Sequence, residues 1–142
     1  MKLTSTDFED GGELADKFSC NGEGIRPLLT WSEIPPDAKT LAITLVDPDA
    51  PGGSFVHWIA INIPVDTLSI SSGEIVGEEL INSSGKSSYI APCPPAGSHH
   101  YIFTLYALDA GRISASSSES FLLAVGPHIV SQATLAGLYG KS

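Results

Sequence analysis

Three stretches of this chain are apolar on both sides of an extended strand, and that limits the fold more than any other feature. They are residues 40–47 (TLAITLVD), 54–63 (SFVHWIAINI) and 99–108 (HHYIFTLYAL), all rich in the β-branched and aromatic residues that strands favour. Strict alternation puts Leu41, Ile43, Leu45 and Asp47 on one face of the first, and Phe55, His57, Ile59, Ile61 and Ile63 on one face of the second. On the third it aligns His99, Tyr101, Phe103, Leu105 and Ala107. The opposite faces carry Trp58, Ala60, Ile102 and Tyr106, which are no better suited to water. Such strands belong in the middle of a sheet that is covered on both sides.

Turn signals separate these stretches: Asn21-Gly22, Pro35-Pro36-Asp37, Pro51-Gly52-Gly53, Ser72-Gly73 and Pro94-Pro95-Ala96-Gly97. Residues 64–98 read as loops and short edge strands. Ser117 to Ala124 suits a helical turn or two. Beyond Pro127, the spacing of Ile129, Ala133, Ala136 and Tyr139 predicts a second, C-terminal helix stopped by Gly140. With no repeat and no linker, residues 1–142 read as one domain. The expected fold is mainly β: an antiparallel β-sandwich with a short C-terminal helix.

A net charge of −9, with the seven Lys and Arg scattered singly, argues against nucleic acid and anionic membrane surfaces as partners. No stretch approaches the roughly 18 apolar residues of a membrane span, so stable membrane insertion is not expected. The start, MKLTSTDFEDGG, lacks the apolar run of a signal peptide, and the expected location is cytoplasmic. Cys20 and Cys93 form no CxxC pair; they read either as two buried thiols or as one disulfide across a long loop. The phosphate-cradling GxxxxGK[ST] and the GxSxG elbow are both absent, and no cofactor is expected. His99 and His100 point to opposite faces, so they do not suit a shared metal.

One constellation carries chemistry. Asp47 closes the inward face of the first stretch, His57 opens that of the second, and His99 and Tyr101 open that of the third. If the first two pair as a hairpin and the third runs alongside, four polar side chains line one end of an otherwise apolar face. Imidazoles and a phenol can donate hydrogen bonds to a small oxyanion, and Asp47 can hold one imidazole in its donating tautomer. Singly, each has a duller reading: a satisfied core histidine, or an Asp that bonds its own turn.

At these residues the chain resembles the phosphatidylethanolamine-binding protein family, in its short bacterial and archaeal branch of Raf-kinase-inhibitor-like proteins. The resemblance rests on NGEGIRPLLTWSEIPPDAKTLAI (21–43), DPDAPGGSFVHWIAINIP (47–64), APCPPAGSHHYIFTLYALD (91–109) and HIVSQATLAGLYG (128–140). It implies a β-sandwich with Greek-key connections and a ligand pocket at Asp47, His57, His99 and Tyr101. Asp49, Pro51, Pro92, Pro94 and Pro95 would shape its rim. The implied ligand is phosphate or a phosphorylated head group such as phosphoethanolamine, bound without catalysis. A protein partner, a kinase or a serine protease, is also implied, which makes protease inhibition the alternative; a small hydrolase is the less favoured third reading. The resemblance raises a Cys20–Cys93 disulfide to equal standing with two free thiols. Two departures matter: His100 stands where the family has Arg, which implies a lost structural ion pair, and Arg26 replaces a small residue, which implies a changed surface near the site.

Overall fold

The computed structural model describes residues 1–140. In chain order its strands are β1 (Lys2–Thr4), β2 (Gly12–Glu13), β3 (Leu29–Ser32), β4 (Thr40–Asp47), β5 (Phe55–Ile63), β6 (Ser69–Ile70), β7 (Glu78–Glu79), β8 (Ser98–Leu108) and β9 (Ile129–Gly140). One α-helix, α1 (Ser118–Val125), lies between β8 and β9. The small sheet has the order β1-β3-β6 and the large one β2-β9-β8-β4-β5-β7. In the large sheet β8 returns to lie beside β4, so β8-β4-β5-β7 follows the fourth-first-second-third order of a Greek key.

The double-sided apolar stretches became β4, β5 and β8, and both faces are covered. Between the sheets, Leu41, Ile43, Leu45, Phe103 and Leu105 pack on Leu3, Leu29, Trp31 and Ile70 of the small sheet. On the outer face, Ala42, Ile59, Ile61 and Leu108 pack under Phe121 and Val125 of α1. That helix is the one expected over Ser117 to Ala124; the Ser117 N–H donates to the Ser120 hydroxyl at 3.3 Å at its start.

Two expectations fail, each for a non-local reason. Residues 127–140 form no helix: apart from one tight turn at Gly126–His128, they are β9, paired with β8 from Ser98↔Gly140 to Leu108↔Ile129. A helical spacing of a few small apolar residues is a weak signal, and a long ladder on a central strand overrides it. Burial along β9 alternates at Leu135, Gly137 and Tyr139. Gly137 must lack a side chain, because a Cβ there would sit 2.8 Å from Leu14.

Strict alternation also fails along β5. Its pairing with β4 slips between Leu45 and Val46, where Leu45 faces Trp58 but Val46 faces Val56. This two-against-one bulge turns His57 and Trp58 to the same side. A second slip lies at Asn62, whose φ is 56° and whose amide exchanges two hydrogen bonds with the Ile113 backbone, at 2.7 and 2.9 Å. Ile59 and Ile61 consequently face α1 and do not share His57's face, while Ile63 returns to the inner core.

Cys20 and Cys93 are joined, with Cα atoms 5.4 Å apart and a separation of 73 positions in sequence. A loop of that length stabilises the folded chain by about 4 kcal/mol through the entropy removed from the unfolded state. Replacing both cysteines by Ser is expected to lower the urea unfolding free energy by about that amount. The wild-type protein should show the same drop when unfolded in reductant.

Candidate functional site

The four sequence-selected side chains meet at one end of the inner face, around a cavity of about 210 Å³. Asp47, His57, His99 and Tyr101 all line it, and none is more than 6% exposed. Asp47 reaches it because β4 alternates without interruption from Leu41 to Leu45. His99 and Tyr101 reach it because β8 does the same. His57 arrives only through the bulge.

Asp47 organises the group. One carboxylate oxygen accepts the Asp49 N–H at 2.8 Å, which folds the loop after β4 back on itself, and the other accepts His99 Nδ1–H at 2.6 Å. His57 Nδ1–H donates to the Ile90 carbonyl at 2.8 Å. Both imidazoles thus commit Nδ1 to the protein, and Nε2 of each has no hydrogen-bond partner among the described residues. The His57 ring lies edge-on to Tyr101 at 5.5 Å and to Phe55 at 4.8 Å, so it has little freedom to rotate.

Burial sets the protonation states. Loss of hydration pushes the His57 pKa below its ordinary value, against opposing pulls from the Ile90 carbonyl and the Asp47 charge. Burial therefore holds His57 neutral near pH 7. Burial raises the Tyr101 phenol, and the nearby Asp47 charge raises it further, so Tyr101 remains a donor.

The rest of the wall is apolar: Ala50, Pro51 and Phe55 on one side, Ile90, Ala91, Cys93, Pro94 and Pro95 on the other. Pro51, Pro94 and Pro95 therefore stand where expected, whereas Asp49 and Pro92 do not line the cavity. Asp49 lies outside and accepts from His100 twice, from N–H at 2.8 Å and from Nδ1–H at 2.6 Å. Those hydrogen bonds, the backbone one first, hold its carboxyl below the usual range. Where the family has Arg, His100 thus ties Asp49 to β8 by hydrogen bonds. Pro92 is buried behind the wall, where its carbonyl accepts the Cys20 N–H at 3.0 Å. Arg26 is no surface residue either: it is 5% exposed, with its guanidinium 4.6 Å from the centre of the Trp58 ring.

A two-sheet β-fold with a polar pocket at the strand ends can be compared with known proteins. A family model described as phosphatidylethanolamine-binding protein matches residues 4–140. A UPF0098 protein of Methanothermobacter thermautotrophicus is 38% identical over 153 aligned positions, covering 99% of each chain. Among solved structures, CT736, a phosphatidylethanolamine-binding protein homologue from Chlamydia trachomatis, superposes with a TM-score of 0.93 at 35% identity, covering 99% of this chain and 97% of its own. YbcL of E. coli, described as a member of the mammalian PEBP family, superposes at 0.92 with 26% identity, covering 99% of this chain and 98% of its own. The chain belongs to the phosphatidylethanolamine-binding protein family.

Removing the Asp47 carboxylate strands a buried His99 N–H without an acceptor and frees the loop turn. Asp47→Ala is expected to cost about 2–3 kcal/mol in denaturant unfolding. Asp47→Asn, which keeps an acceptor oxygen, should cost clearly less. Nitrogen NMR of His99 should show Nδ1 losing its preferred proton in the Ala variant alone.

Proposed function

We propose that the cavity binds a small oxyanion, phosphate or the phosphorylated head group of a larger molecule such as phosphoethanolamine, without turning it over. The observation that carries this reading is the shared commitment of both histidines. His99 Nδ1 is held by Asp47 and His57 Nδ1 by Ile90, so two Nε2 atoms are left for one ligand, with the Tyr101 hydroxyl, itself against Asp47 and the Cys93 backbone, beside them. Charge-assisted bonds contribute about 1.5–3 kcal/mol each. Two or three of them, less the cost of association, correspond to roughly millimolar to micromolar affinity.

Size supports a head group alone. About 210 Å³ lies below the roughly 300–1,000 Å³ of pockets that enclose drug-sized ligands. The lining includes no serine or threonine, and its one cysteine is held in the disulfide, so it offers no free thiol or aliphatic hydroxyl nucleophile. Regulation of a kinase-like protein partner would follow from ligand occupancy of this pocket.

Among the described residues no helix is long and apolar enough to cross a membrane. Disulfides persist in oxidising surroundings, so a cytoplasmic location requires a cytosol that tolerates the Cys20–Cys93 bond.

Proton linkage gives the test. His57 is neutral in the empty pocket, and an anion beside Nε2 favours its protonated form, so binding takes up a proton. Sulfate, which does not itself titrate in this range, should bind more tightly as the pH falls from about 8 to about 5. The gain should approach tenfold per pH unit and flatten once His57 is protonated without ligand. His57→Gln should remove the slope. Calorimetry showing no anion binding at any pH, or binding independent of pH, would overturn the reading.

A further inference from the structure

Beyond the first cavity, the structure holds a buried cation that makes no ion pair among the described residues. The Arg26 guanidinium lies 4.6 Å from the Trp58 ring centre and 5.9 Å from that of Tyr89. Its Nη2 donates to the carbonyls of Ser71, at 2.8 Å, and Glu74, at 2.5 Å. Its Nε has no hydrogen-bond partner, and neither does the neighbouring Tyr89 hydroxyl, although both atoms are fully buried. Arg26 makes no salt bridge among the described residues, whereas Arg112 pairs with Glu78 at 3.2 Å.

Buried polar groups are almost always satisfied, and a buried guanidinium is costly without a counter-charge. Stacking on Trp58 offsets part of that cost but supplies no acceptor for Nε–H. Beside these groups lies an open cleft of about 340 Å³, lined by Gly24, Ile25, Arg26, Ser72, Gly73 and Tyr89. Gly73, at φ 81°, has nothing within 4 Å of where a Cβ would lie, so that side of the cleft is unobstructed.

We propose that this cleft is a second binding site, in which the Arg26 Nε–H and the Tyr89 hydroxyl donate to a carboxylate group of a small ligand. A water molecule would satisfy the two orphan groups but not the charge. A carboxylate does both, with one oxygen for the Arg26 Nε–H and the other for the Tyr89 hydroxyl. Glu74 and Glu79 act electrostatically on Arg26, which favours a monoanion over a phosphate dianion. Both side chains line the cleft, and the ligand would reach the two buried donor atoms once those side chains shift toward it.

The two sites share a wall. Tyr89 precedes Ile90 and Ala91, which line the first cavity, and the Ile90 carbonyl holds His57. Gly24 lies against Ala91: a Cβ on it would be 3.3 Å from the Ala91 Cβ.

The chain has only two arginines, so a nitrogen-15 spectrum of arginine Nε–H groups contains Arg26 and one internal control, Arg112. Arg26→Lys assigns the signals; if that variant fails to fold, Tyr89→Phe identifies Arg26 by the shift of its neighbour. Sodium acetate is titrated against sodium chloride at matched ionic strength. The expected result is a saturable displacement of the Arg26 signal while Arg112 follows the chloride control. Tyr89→Phe should weaken half-saturation several-fold, and the response should persist in His57→Gln. Identical behaviour in acetate and chloride would overturn the site. Loss of the response in His57→Gln would assign the effect to the first cavity, and a stronger response to inorganic phosphate than to acetate would overturn the carboxylate assignment.

Discussion

Most of this molecule follows from the double-sided burial of β4, β5 and β8. Leu41, Ile43, Leu45, Phe103 and Leu105 must be hidden on one face, and Ala42, Ile59, Ile61 and Leu108 on the other. One layer of cover is not enough, so a three-stranded sheet closes the inner face and α1 the outer. Each large side chain buried this way contributes about 1.5–3 kcal/mol. Along such strands a polar group is tolerated where the ladder ends and side-chain partners can be supplied. Asp47, His57, His99 and Tyr101 gather at that end and satisfy much of one another's hydrogen bonding.

The electrostatics of the pocket are close to balanced. The protein carries a net charge of −9, and Asp47 places a carboxylate at the pocket itself. On the proposed reading, an anion would be accommodated there through proton uptake at His57 and through donors fixed in advance by backbone and carboxylate partners. Pre-organisation of this kind limits what binding must order. Its supports extend well beyond the pocket. The Cys20–Cys93 bond and the Cys20–Pro92 hydrogen bond fasten the proline-rich wall, and the Asp49–His100 contact fastens the opposite loop to β8. Ile90 joins that wall to Tyr89 and so to the buried Arg26.

Much of the site was legible because it lies on strand ends where alternation holds. Asp47, His99 and Tyr101 are two-residue repeats of the core positions Leu45, Tyr101 and Phe103, and their direction follows from that. His57 was placed on the correct face by an argument that does not apply to it. Alternation groups it with Ile59 and Ile61, yet those two lie under α1, and the bulge opposite Leu45 turns His57 inward. The Ile90 carbonyl is a main-chain group, so nothing in the side-chain sequence announces it. Asp49 and His100 were each read alone, and their pairing appears only once the loop and β8 are brought side by side.

The sequence by itself determined that β4, β5 and β8 are central strands, where the turns between them fall and which residue types cluster at their ends. Those properties depend on neighbours along the chain and on the two-residue period of an extended backbone. Tertiary structure decided the rest. Residues 129–140 are a strand because β8 offers a long edge to pair with, despite a local spacing that suits a helix. Arg26 is buried because Trp58, Tyr89 and the turn at residues 71–74 close around it. His57 faces the pocket because β4 and β5 pair out of step by one residue. Each outcome depends on contacts between residues distant in sequence, whose free energies exceed the local preferences they override.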